Sequence, residues 1–293
     1  MQPVYIQHTA SIHPQGNPDG LPWLPACEPD YKSLITNATL RRRMSRIVKM
    51  GVACGLACIA DVASEQVGGI ITATGLGCLA DTEKFLETLI ANKEQLLNPT
   101  PFIQSTFNTI GAQIALIRQI HAYNMTYVHR GLSFESALID AMMQVAEGND
   151  NILVGGMDEM TETSYLLQRR MGLLKGAQAG EGAHFFLLTR EAGTHALAEI
   201  SAIETFGGKH TPQEMDDRVR LFLDRNGLRR ADIGRVVTDG EFKAECGEYP
   251  TASAYAVWRS VQELRQCHTP VRLLIRHSHP AHQHSFILMR NCV

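Results

Sequence analysis

The 293-residue sequence has no CxxC pair, no zinc-type cysteine spacing and no dense cysteine framework; its seven cysteines (Cys27, Cys54, Cys58, Cys78, Cys246, Cys267 and Cys292) are scattered. That scatter excludes a small disulfide-built secreted module and reads as reduced thiols. Cys54 and Cys58, one helical turn apart in an alanine- and glycine-rich stretch, read as packing residues. An excess of basic charge is also missing: 27 Lys and Arg face 30 Asp and Glu. No global field therefore favours nucleic acid or an anionic membrane surface. No apolar run approaches the roughly 20 residues of a membrane-spanning helix. The opening MQPVYIQHTASIHP lacks the basic start and long apolar core of a signal peptide. These absences predict a cytoplasmic protein that acts on small or protein-borne partners. The glycine pattern TGLGCL falls short of a full G-x-G-x-x-G, so it reads as a tight turn and implies no nucleotide cofactor.

What is present is an ordinary globular share of apolar residues, 44%, enough for a sizeable core. The pattern alternates strand and helix. Val4–Ile12 reads as a strand, and 40–63 as one helix with basic first turns (Arg41, Arg42, Arg43, Arg46 and Lys49) and a small, apolar remainder. VGGIITATG reads as a strand leading into the helix DTEKFLETLIANKEQLL. PTPFIQSTFNTIGAQIALIRQI reads as a buried helix, NMTYVH as a short strand, and SFESALIDAMMQVAEG as a helix capped by Ser133. NILVGG and HFFLLTRE are nearly continuous apolar runs, as strands buried on both faces require. Near Gly193 the character changes, and a second series of strands and helices follows. The expected division is an N-terminal half, 1–192, and a shorter C-terminal half, 193–293.

Taken in order from about Val4 to Met289, these segments resemble the β-ketoacyl synthases of the thiolase fold. TGLGCLADTEKFL resembles the strand and loop before the family's dimer helix, and PTPFIQSTFNTIGAQIAL resembles that helix. SFESALIDAMMQVAEG with NILVGGMDE resembles the nucleophile helix and the Gly-Gly strand after it. GEGAHFFLLTRE resembles the strand that closes the first half, and KAECGEYPTASAYA the lysine and glycine-histidine segment. The resemblance implies an α/β fold of two similar halves in a layered α/β/α/β/α core, shortened relative to full ketosynthases.

It also implies a damaged active site. The family nucleophile is a cysteine at a helix N-terminus, where the helix dipole and backbone N–H groups favour thiolate and oxyanion. Counting from Ser105–Thr106 forward and from Ala137–Leu138 back places Gly131 there. The family lysine is kept as Lys243, but Glu248 stands at the second histidine position, and VVTDGEFKAEC, where the first histidine belongs, has none. A histidine donates a hydrogen bond to a developing enolate; an ionised carboxylate only accepts. The implied role is that of the cysteine-less chain-length-factor subunits of type II polyketide and aryl-polyene or flexirubin-type systems. Such a subunit pairs with an active ketosynthase, meets acyl carrier protein and limits chain length. Phe102, Phe107, Ile110, Met125, Tyr127, His129, Arg130, Ser133 and Phe134 match the interface and tunnel region. No catalytic residue, metal or cofactor is expected.

Several residues admit a second reading. Arg130 could anchor a carboxylate or pair with Glu135. His129 and Ser133 could form a replacement nucleophile pair. Glu248 could point into a pocket or pair with Lys243. His277, His279, His282 and His284 have spacing that could gather a metal, or they form a hydrogen-bonded hairpin. The run Arg41 to Arg46 is a solvated face or a carrier-protein contact. The rival functions are a stand-alone acyltransferase or decarboxylase using Ser133 or the Lys243 pocket, and a homodimeric acyl-binding protein.

Overall fold

The computed structural model describes residues 2–18, 20–174, 176–280 and 282–292. Its strands are β1 (Val4–Ile12), β2 (Trp23–Leu24), β3 (Gly69–Ala73), β4 (Tyr123–Tyr127), β5 (Ile152–Asp158), β6 (Ala179–Gly180), β7 (Gly182–Thr189), β8 (Ala198–Gly207), β9 (Arg235–Thr238), β10 (Arg272–His279) and β11 (Gln283–Arg290). The helices before the middle of the chain are α1 (Tyr31–Leu34), α2 (Ala38–Arg43), α3 (Arg46–Cys58), α4 (Leu79–Ala91), α5 (Pro99–Gln104) and α6 (Thr109–Arg118). After them come α7 (Ser133–Ala146), α8 (Glu162–Arg170), α9 (Pro212–Arg225), α10 (Asp239–Cys246) and α11 (Ala252–Leu264).

Nine strands form one mixed sheet in the order β4-β3-β5-β7-β1-β8-β11-β10-β9, and β2 pairs with β6. Two blocks meet where Val4–Ile6 of β1 pairs with Ala198–Ile200 of β8. The order β1–α3–β3–α7–β5–β7 is repeated as β8–α9–β9–α11–β10–β11. Both series lay a parallel pair (β3 with β5, β9 with β10) beside antiparallel partners.

Three cores fix the layering. Helices α7 and α11 lie between the blocks, where Phe134, Leu138, Val257 and Val261 pack against Ile71, Val154, Leu273 and Ile287. On the outer face of the first block, α3 and α6 cover Ile70, Leu153, Phe185 and Leu187. On the outer face of the second, α9 presents Met215, Val219 and Phe222 to Leu274, Phe286 and Leu288. The result is helix, strand, helix, strand, helix, with most of each central helix buried because both sides are covered. Every residue of β5 and β7 is buried, as their continuous apolar character predicts.

The structure differs from the sequence expectation at several elements. The helix expected over 40–63 is two, because Met44 is extended and Ser45 begins a new helix with its N–H given to Gln104. The helix expected over 99–120 is also two, broken at 105–108, and its first piece exposes Phe102 and Ile103. Ser133 is not an N-cap: it is already helical, and its hydroxyl turns back to the Arg130 carbonyl.

Candidate active site

The turn between β4 and α7 carries the residues matched to the family nucleophile. Arg130 adopts a left-handed conformation at φ 53°, which costs a non-glycine residue about 1–2 kcal/mol. Ser133 braces that turn: its buried Oγ accepts from the His129 N–H at 2.7 Å and donates to the Arg130 carbonyl at 2.7 Å. The His129 ring lies by Ser136, 3.1 Å away. His129 and Ser133 are therefore no nucleophile pair, since the hydroxyl is spent on backbone and the imidazole faces another side chain. The Arg130 guanidinium is exposed and makes no hydrogen bond or ion pair among the described residues, while Glu135 is fully buried and accepts from Ser285 at 2.7 Å. The alternative Arg130–Glu135 pair does not form.

Gly131 is buried under the β10–β11 hairpin. Its N–H donates to Gln283 Oε1 at 3.0 Å. A Cβ placed on Gly131 would lie 2.2 Å from His279 Cγ and 2.4 Å from His279 Cβ. Beside this turn, the buried Asp158 carboxylate ends β5 and ties three segments together. It accepts from Thr74 Oγ1 and the Gly75 N–H, and from the N–H and hydroxyl of Thr251 at the start of α11.

The segment holding the family lysine forms α10, which ends at Gly247 in a left-handed conformation (φ 81°) with its N–H on the Lys243 carbonyl. A side chain at 247 would collide with the Gly180 backbone. The chain then runs beside β6, where the Glu248 N–H bonds the Gln178 carbonyl at 2.7 Å and aims its side chain back at the helix. All three N–H groups of Lys243 are taken: Glu248 Oε2 at 2.7 Å, Asp239 Oδ1 at 3.0 Å and the Ser278 carbonyl at 2.7 Å. Asp239 also holds His277 Nδ1 at 2.9 Å. The three contacts of Lys243 use every donor of the ammonium.

The charges sort accordingly. Burial works against the Lys243 ammonium, but Glu248 and Asp239 outweigh it and hold the lysine above its ordinary value. Burial would also raise Asp239, yet His277 and Lys243 bring its carboxyl down to about 2. Glu248 is the carboxyl that burial pushes up, and its Oε1 is buried without a hydrogen-bond partner among the described residues. A cleft of about 620 Å³ opens above this network, walled by the loop after α8, by α10 and by the hairpin.

The four histidines of the hairpin go separate ways. His277 serves Asp239, and His279 covers Gly131, its basicity lowered to about 3 by burial and by His277 and Lys243. His284 is bound between Ser278 Oγ and the Gly208 carbonyl, and His282 is exposed. No cluster of three or more His, Cys, Asp or Glu suited to a metal is formed among the described residues.

Of the residues matched to the interface and tunnel region, Phe102, Phe107 and Met125 are exposed, at 55%, 49% and 42%. Tyr127 is half-buried, and His129 and Arg130 are exposed. Ile110, Ser133 and Phe134 are buried within the chain, Ile110 against Gly51 of α3 and Phe134 in the central core. Among the described residues, strand β4 is the terminal strand of the sheet and pairs only with β3. Phe107 lines a surface groove with Met125 and Thr126 of β4, and Ile103, Phe102 and, on α6, Leu116 are also exposed. Within the basic run, Arg41 bonds the Ile35 carbonyl and Arg46 the carboxylates of Glu28 and Glu181, which leaves Arg42 and Arg43 exposed. The residues that sequence reasoning missed are Asp239, Gln283 and Asp158; Asp158 stood out only as a carboxylate ending the apolar run NILVGGM, and the others carried no local signal.

Comparison with known proteins places this arrangement. The family model described as beta-ketoacyl synthase, N-terminal domain, matches residues 18–180, more than half of the chain. No curated protein matches the sequence. Among solved structures, the ishigamide ketosynthase/chain length factor is 14% identical with a TM-score of 0.81 and 99% of each chain covered. A β-ketoacyl synthase from Burkholderia phymatum is 13% identical, TM-score 0.82, with all of both chains covered. AntDE:AntF, a type II PKS acyl-carrier protein in complex with its ketosynthase bound to the hexaketide, is 14% identical, TM-score 0.76, again with all of both chains covered. The layered sheet is thus the thiolase fold of ketosynthases and chain length factors, and the chain belongs to the β-ketoacyl synthase family.

Proposed function

We propose that this chain is a non-catalytic, chain-length-factor-like subunit that pairs with an active β-ketoacyl-ACP synthase and shapes the acyl tunnel in polyene or fatty-acid-like synthesis. The observation that carries the reading is Gly131 at the position of the nucleophile: no thiol stands there, Ser133 is spent on backbone, and Lys243 is saturated by Glu248, Asp239 and the Ser278 carbonyl. What is kept is surface. An open edge at β4 beside exposed Phe102, Phe107 and Met125 is a hazard for a lone chain and an asset for one that is paired. The two halves, 1–192 and 193–293, would share the central helices, and the partner would cover β4, α5 and α6. Obligate pairs of this kind often bury more than about 2,000 Å².

The acyl carrier protein is the expected second partner, and the cytoplasm the expected compartment. Arg42 and Arg43 are the arginines of the basic run free to meet its acidic surface. Malonyl-dependent condensation, assayed with the ketosynthase alone, with this chain alone and with both, tests the reading. Condensation requires both chains on this account; acyl transfer or malonyl decarboxylation by this chain alone would refute it.

A further inference from the structure

We infer that the β10–β11 hairpin closes the vacated site: His279 fills the volume of the missing nucleophile and Gln283 takes the backbone donor, with Lys243 as the latch. This deepens the reading above and rests on the match of Gly131 to the family's cysteine position. Carbon atoms pack at about 3.5–4.0 Å, so a side chain at 131, 2.4 Å from His279 Cβ and 2.2 Å from Cγ, cannot be accommodated in place. The atoms it meets are the root of the histidine, not its tip. No rotamer change moves a Cβ, so relief requires moving the backbone of β10.

That backbone is tied down from two sides. His279 pairs with Gln283 across the hairpin, and the His282 N–H bonds the His279 carbonyl at 3.0 Å. One residue earlier, the Ser278 carbonyl accepts from Lys243 at 2.7 Å. The lysine that the family uses beside its catalytic histidine thus acquires a different task here, holding the hairpin against the nucleophile turn. Gln283 completes the closure: its Oε1 accepts the Gly131 N–H at 3.0 Å, so that N–H is not offered to an oxyanion. Returning a cysteine to position 131 is then not enough to return a nucleophile.

The test uses the full chain with Gly131→Cys alone, with Gly131→Cys plus His279→Ala, and with Gly131→Cys plus His279→Gly. Two quantities are read: the urea midpoint, and the iodoacetamide labelling rate of the peptide containing residue 131, with the exposed Cys27 as internal standard. Gly131→Cys should lower the midpoint, or fail to fold, and label at least tenfold more slowly than Cys27. Adding His279→Ala should help little, because the Cβ remains. Adding His279→Gly should recover most of the midpoint and raise labelling at residue 131 at least tenfold. A stable Gly131→Cys protein that labels as fast as Cys27 overturns the inference. So does a His279→Gly double variant no better folded or labelled than the His279→Ala one. Neither outcome touches the pairing with a ketosynthase, which the condensation assay decides separately.

Discussion

At the scale of single residues, the site is held by a few buried polar contacts. Lys243 and Glu248 have side chains only 10% and 7% exposed, so removing the lysine strands Glu248 and Asp239. Lys243→Met should destabilise the chain by about 3–5 kcal/mol in urea denaturation, whereas a loss under about 1 kcal/mol would deny the latch. A second buried carboxyl gives a pH signature. Burial lifts Glu159, beside Asp158, to about 7, opposed by the Ala80 N–H and Arg46. Its folded value exceeds its unfolded one, so the folded state binds the extra proton between about 4.5 and 7 and stability falls as pH rises through that window. The fall from this group is roughly 3 kcal/mol. Glu159→Gln should flatten that part of the stability profile, and an unchanged slope would place the proton elsewhere. Gly131, Lys243 and Glu248 were legible in the sequence because their spacing from neighbouring motifs survives. His279 and Gln283 were not: they reach Gly131 through a hairpin about 150 residues away, and nothing in HSHPAHQHS states where its tip lands.

At the scale of elements, the runs that could be read were those with one strong pattern. The strands β1, β5 and β7 and the helix α7 follow from their apolar patterns. The breaks were harder. The extended Met44 ends one helix and Ser45 starts another, its N–H given to Gln104, a tertiary partner. Helix α8 is mostly polar by composition, and α10 gives little amphipathic signal, so neither stood out. The matched interface region was read as a single buried helix, whereas α5 turns its apolar side chains outward. That outward face yields a prediction at this scale. Phe107→Asp with Met125→Lys should leave the fold intact, since both side chains are exposed, yet weaken pairing with the ketosynthase at least 10-fold in sedimentation velocity; a central apolar contact is commonly worth more than 1 kcal/mol. Unchanged pairing would move the interface away from β4.

At the scale of the whole molecule, the alternation of two series of strands and helices indicated two α/β halves, and the resemblance to the β-ketoacyl synthases supplied their layered arrangement. The repeated order around α7 and α11 explains why: each series needs the other to cover its central helix. The sequence could not show that the two blocks join edge to edge through β1 and β8, because that pairing is only three residues long. In the same way, the proposed function belongs to an assembly and not to one chain. The most direct test is native mass spectrometry of this chain co-expressed with a cysteine-bearing ketosynthase encoded beside it, with condensation assayed on the purified species. A one-to-one complex that alone supports condensation is the predicted result. A stable homodimer of this chain, with the ketosynthase condensing unaided, would contradict it.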